Sequence, residues 1–119
     1  MTKAAISVLA DTQTEEDLGR VVNALAAAQE FKQAGDKVQV IFDGTGTRWP
    51  GVLAQPDHIA HGLYKEVRSQ VAGVCTFCAT AFGAKDSVVS NGLTLIDEAK
   101  GGHPSFKQLL SEGYEVFTF

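Results

Sequence analysis

The sequence has no long apolar run and no basic run. No apolar stretch approaches the roughly 20 residues that a membrane-spanning helix needs. Ten Lys and Arg are scattered among 14 Asp and Glu, giving a net charge of −4. This balance argues against nucleic acid or an anionic membrane as the main partner, since both need a dense basic face. The start, MTKAAISVLADTQTEED, lacks a long apolar region and a cleavage site, so we expect no signal peptide and a cytoplasmic location.

Cysteine is also scarce, because the chain has only two, three positions apart in GVCTFCATAFG (residues 73–83). In a reducing compartment such a pair is more often catalytic, redox-active or metal-binding than a structural disulfide. A zinc site made only of cysteines would need a second close pair, which the sequence does not have. Cys75-Thr76-Phe77-Cys78 is therefore the first candidate site.

What the sequence does have is a regular alternation of short apolar runs and helical repeats. The predicted strands are 4–9, 37–42, 71–75, 93–96 and 114–119, and helical segments lie between them at 15–34, 57–67, 79–82 and 104–112, with a brief turn capped at Asp86 or Ser87 and ended by Asn91-Gly92. This order predicts one α/β domain over residues 1–119. Its expected architecture is a three-layer α/β/α sandwich with a mainly parallel five-stranded sheet and helices on both faces.

Local patterns add detail to three of these helices. Thr14 and Asp17 have the spacing of a capping box at the start of the first helix. In the helix predicted to begin at Asp57, Ile59, Leu63 and Val67 are expected to face inward. The helix at 104–112 is expected to bury an apolar set made up of Phe106, Leu109 and Leu110.

Polar or reactive residues follow the first three predicted strands, where an open parallel sheet binds its ligands. Asp11-Thr12 follows the first strand, DGTGTRW (43–49) the second, and the cysteine pair the third. The glycine-rich loop GTGTRWPG (44–51) lacks both the GK[ST] ending of a P-loop and the Rossmann fingerprint. It can still present N–H groups to an anion. The expected pocket residues, which would orient an anionic substrate or stabilise a thiolate, are Asp43, Thr45, Thr47 and Arg48.

Cys75 is the most informative residue, because it ends a buried strand just before a helix. Free backbone N–H groups and the helix dipole at that point are expected to stabilise a thiolate, which is the nucleophilic form. Cys78 lies one helical turn later on the same side. We therefore expect Cys75 to react, and Cys78 either to resolve its persulfide or sulfenate as a disulfide or to be a small buried residue.

Zinc and thioredoxin-like chemistry are two further interpretations of the cysteine pair. Two cysteines and two of the three histidines, His58, His61 and His103, would make four zinc ligands. However, His58 and His61 share a predicted helix face with Lys65 and Arg68, which is typical of a solvated polar stripe. The pair also lies past mid-chain, unlike the early CxxC of the thioredoxin fold. We therefore assign no metal and no cofactor from the sequence.

Several segments together carry a family resemblance. Cys75 is followed by TFCATAF and Gly83, the second half contains GLTLIDEA and EGYEVFTF, and the first half contains AGDKVQVIFDGTG. In these features the chain resembles the DsrE/DsrF-like (TusD/YchN-type) sulfur-relay family. The resemblance implies a five-stranded parallel sheet, a homo-oligomer (trimer or hexamer), and a Cys75 that accepts sulfane sulfur as a persulfide. It departs from the family at Ala81-Phe82, where basic residues often precede the glycine.

The leading function is therefore sulfur handling of the sulfurtransferase type, with donor and acceptor proteins or small thiols as partners. A binding or assembly module with a CxxC metal or ligand site is one alternative, and a CxxC dithiol redox protein is another. A carrier needs Cys75 alone and a dithiol needs both cysteines. A metal module needs a histidine or carboxylate as well.

Overall fold

Five parallel strands form the centre of the protein, whose structure is a computed structural model describing residues 1–119. The strands are β1 (Lys3–Val8), β2 (Lys37–Phe42), β3 (Val71–Cys75), β4 (Leu95–Ile96) and β5 (Glu115–Thr118). Their order across the sheet is β4-β3-β2-β1-β5, and every pairing is parallel. The predicted α/β class and the five-stranded sheet are confirmed.

One long helix and five short ones connect these strands. They are α1 (Glu15–Gln33), α2 (Trp49–Leu53), α3 (His61–Val67), α4 (Thr76–Ala81), α5 (Lys85–Ser90) and α6 (Phe106–Ser111), with 3₁₀ helices at Gly44–Arg48 and Arg68–Gln70. None of the helices combines the length and the apolar composition required to cross a membrane.

Helix α1 begins where its sequence predicts. The Thr14 side chain accepts a hydrogen bond from the Asp17 backbone N–H at 3.1 Å, and the Asp17 carboxylate accepts one from the Thr14 N–H at 3.1 Å. This reciprocal pair is the predicted capping box, and it satisfies backbone donors that the first helical turn leaves free. The helix ends before Gly35, whose φ of 81° suits glycine.

The two faces of the sheet are covered unequally. On one face, alternate strand residues such as Ile6, Val40 and Phe42 join a core cluster of 20 buried residues that also includes side chains of α1, α2, α3 and α5. On the other face, the buried cluster contains only Ala5, Ile41 and Leu109, the last of which belongs to α6. Helices thus lie on both faces, but one layer is thin.

The helix predicted to begin at Asp57 begins instead at His61. Residues 55–60 form successive turns, closed by bonds from the His58 N–H to the Gln55 carbonyl and from the His61 N–H to the His58 carbonyl. Ile59 lies in these turns with 84% of its surface exposed, so its predicted inward position is wrong. These turn hydrogen bonds occupy backbone N–H and C=O groups that would have to form helical hydrogen bonds if the helix began at Asp57.

The last helix is also shorter than predicted. Ser105 caps it, and it spans only Phe106–Ser111. Leu109 is buried as expected, but Phe106 and Leu110 are 38% and 61% exposed. A six-residue helix has fewer than two turns, so few of its positions can face the sheet at once. The predicted burial of Phe106 and Leu110 is therefore wrong.

The segment predicted as a glycine-rich loop, residues 44–51, is helical. Asp43 caps the 3₁₀ helix by accepting a hydrogen bond from the Gly44 N–H at 2.8 Å, and Pro50 lies near the start of α2, where proline is favoured. Gly46 packs so closely on β1 that an added Cβ would lie 2.1 Å from the Val8 carbonyl oxygen. The glycine there permits close backbone packing rather than forming an anion cradle.

Candidate functional site

Four side chains with metal-binding or catalytic chemistry meet at one edge of the sheet. They are Asp43, Cys75, Cys78 and His103, and one potential ligand atom from each lies within 4.8 Å of all the others. Both cysteines are free thiols. The sequence predicts three of these four as site residues, and His103 only as one of three candidate zinc histidines.

The parallel sheet explains why these residues meet. Strands β2 and β3 are neighbours, with Phe42 opposite Val74, so Asp43 and Cys75 follow from adjacent positions at the same edge. Cys75 in turn lies opposite Ile96 of β4. Residues 97–105, which we call the 97–105 loop, follow β4 at that same edge and carry His103. The site is therefore at the carboxyl ends of three neighbouring strands.

The 97–105 loop folds back over Cys75. The Ala99 N–H donates to the His103 carbonyl at 2.7 Å, and the Gly102 N–H donates to the Ala99 carbonyl at 2.9 Å. Gly101 and Gly102 have φ values of 88° and 91°, which favour glycine. The His103 and Phe77 rings pack with their centroids 4.9 Å apart. These contacts hold the imidazole above the cysteine pair.

The two thiols have different partners. Cys75 Sγ lies 3.4 Å from His103 Nδ1 and accepts a hydrogen bond from the Cys78 backbone N–H at 3.4 Å. Cys78 Sγ donates to the Asp43 carboxylate at 3.3 Å. The arrangement therefore contains a thiol–imidazole pair and a thiol–carboxylate pair side by side.

Burial controls the acidity of these thiols. The pKa of Cys75 is raised to about 12, chiefly by removal from water and to a smaller extent by the Cys78 side chain and the nearby Asp43 carboxylate, whereas the Cys78 N–H lowers it too little to compensate. Burial also raises the pKa of Cys78. The expectation of a thiolate stabilised by a helix start is therefore wrong, because α4 has only six residues and desolvation outweighs its N–H groups.

Three of the four site residues are closed to solvent, whereas His103 is partly exposed. Cys75 is fully buried, and Cys78 and Asp43 are each 7% exposed. An open groove runs outside it, between α4 and the 97–105 loop, and its lining includes Thr76, Phe77 and Gly102. Cys75 does not line this groove, so a molecule bound there would not contact its buried thiol in this structure.

The other three predicted pocket residues lie in the same segment as Asp43 but contact other groups. Thr45 Oγ1 donates to the Leu9 carbonyl at 3.1 Å, and the buried Thr47 donates to the Gly44 carbonyl at 2.9 Å. Arg48 pairs with Asp11 at 3.0 Å. Their side chains stabilise the 3₁₀ helix and its neighbours, and a substrate role for them stays a prediction.

His58 and His61 lie away from the cysteines. His61 Nδ1 is 2.8 Å from the Leu53 carbonyl oxygen, and the His58 ring packs edge-on against Trp49. The two cysteines therefore do not meet two histidines, as the zinc interpretation of the sequence required. They meet one histidine, His103, and one carboxylate, Asp43. The strand-end rule that selected Asp43 also applies to the segment after β4, which is the signal that could have selected His103.

Comparison with known proteins gives little functional information. The chain is 28% identical over 96 residues to the uncharacterized protein MJ0733 of Methanocaldococcus jannaschii, an alignment covering 81% of this chain and 77% of that relative. No family model matches the sequence, and no solved structure matches it. The geometry of the site is therefore the main basis for a functional proposal.

Proposed function

We propose that this chain handles sulfane sulfur in the cytoplasm, accepting it as a persulfide on Cys75 and passing it on. The observation that carries the proposal is the 3.4 Å contact between Cys75 Sγ and His103 Nδ1, beside a second thiol. A nucleophile within reach of a base is the basic requirement for covalent catalysis. The resemblance to DsrE/DsrF-like sulfur-relay proteins supports the same residue as the carrier.

In this proposal His103 serves as the base that Cys75 needs. A thiol with a pKa of about 12 is protonated at neutral pH, so it must lose its proton during the reaction. His103 Nδ1, in the tautomer protonated at Nε2, takes that proton as Cys75 attacks the outer sulfur of a donor persulfide. The new Cys75 S–S bond forms, the donor's S–S bond breaks, and the departing donor thiolate receives the proton from His103.

Cys78 then provides a route for release. Its sulfur attacks Cys75 Sγ in the persulfide, forming a Cys75–Cys78 disulfide and expelling the terminal sulfur as hydrosulfide. The Cys78 proton passes to Asp43, whose carboxylate already accepts its hydrogen bond, and then to the leaving sulfide. A small thiol of the cytoplasm reduces the disulfide and restores both thiols.

The experiment is an intact-mass measurement after exposing the reduced, metal-free protein to a small-molecule persulfide. We expect the wild type to gain one sulfur atom transiently, before Cys78 releases it and leaves the disulfide. Cys75→Ser should gain no sulfur, and Cys78→Ser should keep the added atom. His103→Gln should slow loading on the order of 100-fold or more, as expected for loss of a general base. His61→Gln, which changes a histidine outside the site, should load normally. Unchanged loading in Cys75→Ser would contradict the proposal.

A dithiol redox function is the second candidate, favoured by the closeness of the two cysteine sulfurs. It predicts a protein that loses two hydrogens with an oxidant and regains them with a reductant, without gaining sulfur. Both Cys75→Ser and Cys78→Ser would abolish that change. A carrier differs because it loads sulfur with Cys75 alone.

A further inference from the structure

The geometry points to a zinc site in which Asp43, Cys75, Cys78 and His103 bind one Zn²⁺ through Oδ1, two Sγ atoms and Nδ1. This inference goes beyond sulfur handling, which requires Cys75 but no metal. It also differs from the zinc interpretation of the sequence, because it uses a carboxylate and a different histidine set. The contacts, the charge balance and the chemistry of the donors each support it.

The distances between the donors fit a tetrahedral ion. Zinc binds sulfur at about 2.3 Å and nitrogen or oxygen at about 2.0–2.2 Å, so a sulfur and a nitrogen or oxygen ligand lie about 3.5 Å apart. Cys75 Sγ is 3.4 Å from His103 Nδ1, and Cys78 Sγ is 3.3 Å from Asp43 Oδ1. Since all four atoms lie within 4.8 Å of one another, small side-chain rotations suffice to surround an ion.

The charge of Asp43 also favours a cation. Its side chain is buried. The structure has two ion pairs, Arg20–Glu16 and Arg48–Asp11, so no Lys, Arg or His nitrogen lies within ion-pair distance of the Asp43 carboxylate. Buried carboxylates are costly unless they are paired with a cation or bind a metal. Zn²⁺ supplies that charge. It displaces one proton from each thiol to water, forming two zinc–thiolate bonds.

Neighbouring backbone groups hold the donors in place. The Gly44 N–H donates to Asp43 Oδ1 at 2.8 Å, and the Cys78 N–H donates to Cys75 Sγ at 3.4 Å. Such hydrogen bonds orient metal ligands and remain compatible with coordination. Three donors also come from the ends of neighbouring strands or the helix directly after one, so only His103 depends on a loop.

The donor set selects zinc over other divalent ions. Two thiolates and an imidazole suit zinc, whereas calcium and magnesium prefer six or more oxygen ligands. Four protein ligands leave no open position for water, so the ion would be structural or regulatory rather than catalytic. Because Cys75 belongs to both sites, bound zinc would block persulfide formation.

The test is a titration of the reduced full-length chain with Co²⁺ and then Zn²⁺. Cobalt bound by two thiolates in a tetrahedral site gives intense thiolate-to-metal and visible absorption, and zinc should displace it with one ion per chain by native mass. We expect at least tenfold weaker binding in Cys78→Ser, His103→Gln and Asp43→Asn, and unchanged binding in His61→Gln. Circular dichroism of each variant checks that the fold is retained.

Two results would overturn the zinc site. One is a folded wild-type chain that binds no Zn²⁺ at micromolar concentrations under reducing conditions. The other is zinc binding that survives in Cys78→Ser and His103→Gln together. The sulfur-loading assay on metal-free protein is independent of both results. Zinc binding without sulfur loading would support the zinc site and contradict the carrier function. Sulfur loading without zinc binding would support the carrier function and contradict the zinc site.

Discussion

At the scale of single residues, Gly46 shows how backbone packing positions a reactive group. Its Cα lies so close to the end of β1 that a side chain would overlap Val8 backbone atoms at 2.1 and 2.8 Å. Asp43, which begins the same 3₁₀ helix, is placed beside Cys78 by that packing. A glycine that looks like part of a ligand loop in the sequence therefore has a structural role.

Replacing Gly46 with alanine should destabilise the protein by about 2–3 kcal/mol, because overpacking against backbone cannot be relieved by rotating a side chain. Urea unfolding would measure the change in the free energy of unfolding. Gly19→Ala is the matched control, since Gly19 lies in α1 with nothing within 4 Å of an added Cβ. That variant should be more stable by about 0.5–1 kcal/mol. Equal stability of Gly46→Ala and the wild type would contradict the close packing.

At the scale of elements, Arg48 connects three chain segments near the candidate site. Its guanidinium pairs with Asp11 after β1, donates to the Phe82 carbonyl after α4 at 3.3 Å, and lies over the Phe82 ring. Asp11 in turn accepts a hydrogen bond from the Thr12 N–H at 2.7 Å. The ion pair thus joins the ends of elements that are distant in the sequence.

This ion pair should make stability depend on acid pH. The Thr12 N–H, and then Arg48, lower the pKa of Asp11 in the folded state, so folding favours its charged form. The stabilisation is fully present above the ordinary aspartate pKa of about 3.9 and is lost as pH falls through the lowered value. The stability difference between the wild type and Asp11→Asn, measured by urea unfolding, should therefore shrink on acidification. Asp57→Asn, an exposed aspartate without an ion pair, is the control. A difference that is constant down to pH 2 would contradict this.

The elements also show what could be predicted from the sequence. The strands at 37–42 and 71–75 were predicted to the residue, because short runs rich in β-branched or small apolar residues between turn signals leave few alternatives. The conformations of residues 44–51 and 55–60 were not predicted correctly. Glycine and proline are compatible with both turns and short helices, and tertiary packing determines which of the two forms. Asp43, Cys75 and Cys78 follow from strand ends. The same rule points to the segment after β4, but that His103 is the residue of this segment that reaches the cysteines depends on the internal bonds of the 97–105 loop, which have no sequence period.

At the scale of the whole molecule, the sheet face that α6 covers only thinly is where apolar surface is available for self-association. Phe106 and Leu110, one turn apart on α6, expose apolar surface next to that face. The expectation from the sequence that the chain forms a homo-oligomer stays a prediction. Apolar surface of this kind is what an interface between copies would bury.

If α6 forms such an interface, Leu110→Gln should lower the molecular mass measured by sedimentation equilibrium toward that of a single 12.6 kDa chain. Val89→Gln is the matched control, because Val89 is similarly exposed, at 58% against 61%, but lies on α5. It should leave the mass unchanged. An oligomer that persists in Leu110→Gln would place the interface elsewhere.

The strand order has a consequence for synthesis on the ribosome. β1 is made first, but it pairs with β5, which lies more than a hundred residues later, as in the pairing of Ala4 with Glu115. Until β5 emerges, one side of β1 has no partner, and forming so distant a pairing is slow. All four donor residues precede β5 and lie on the β2–β3–β4 side. The nascent chain therefore contains every group of the candidate site before its sheet is complete.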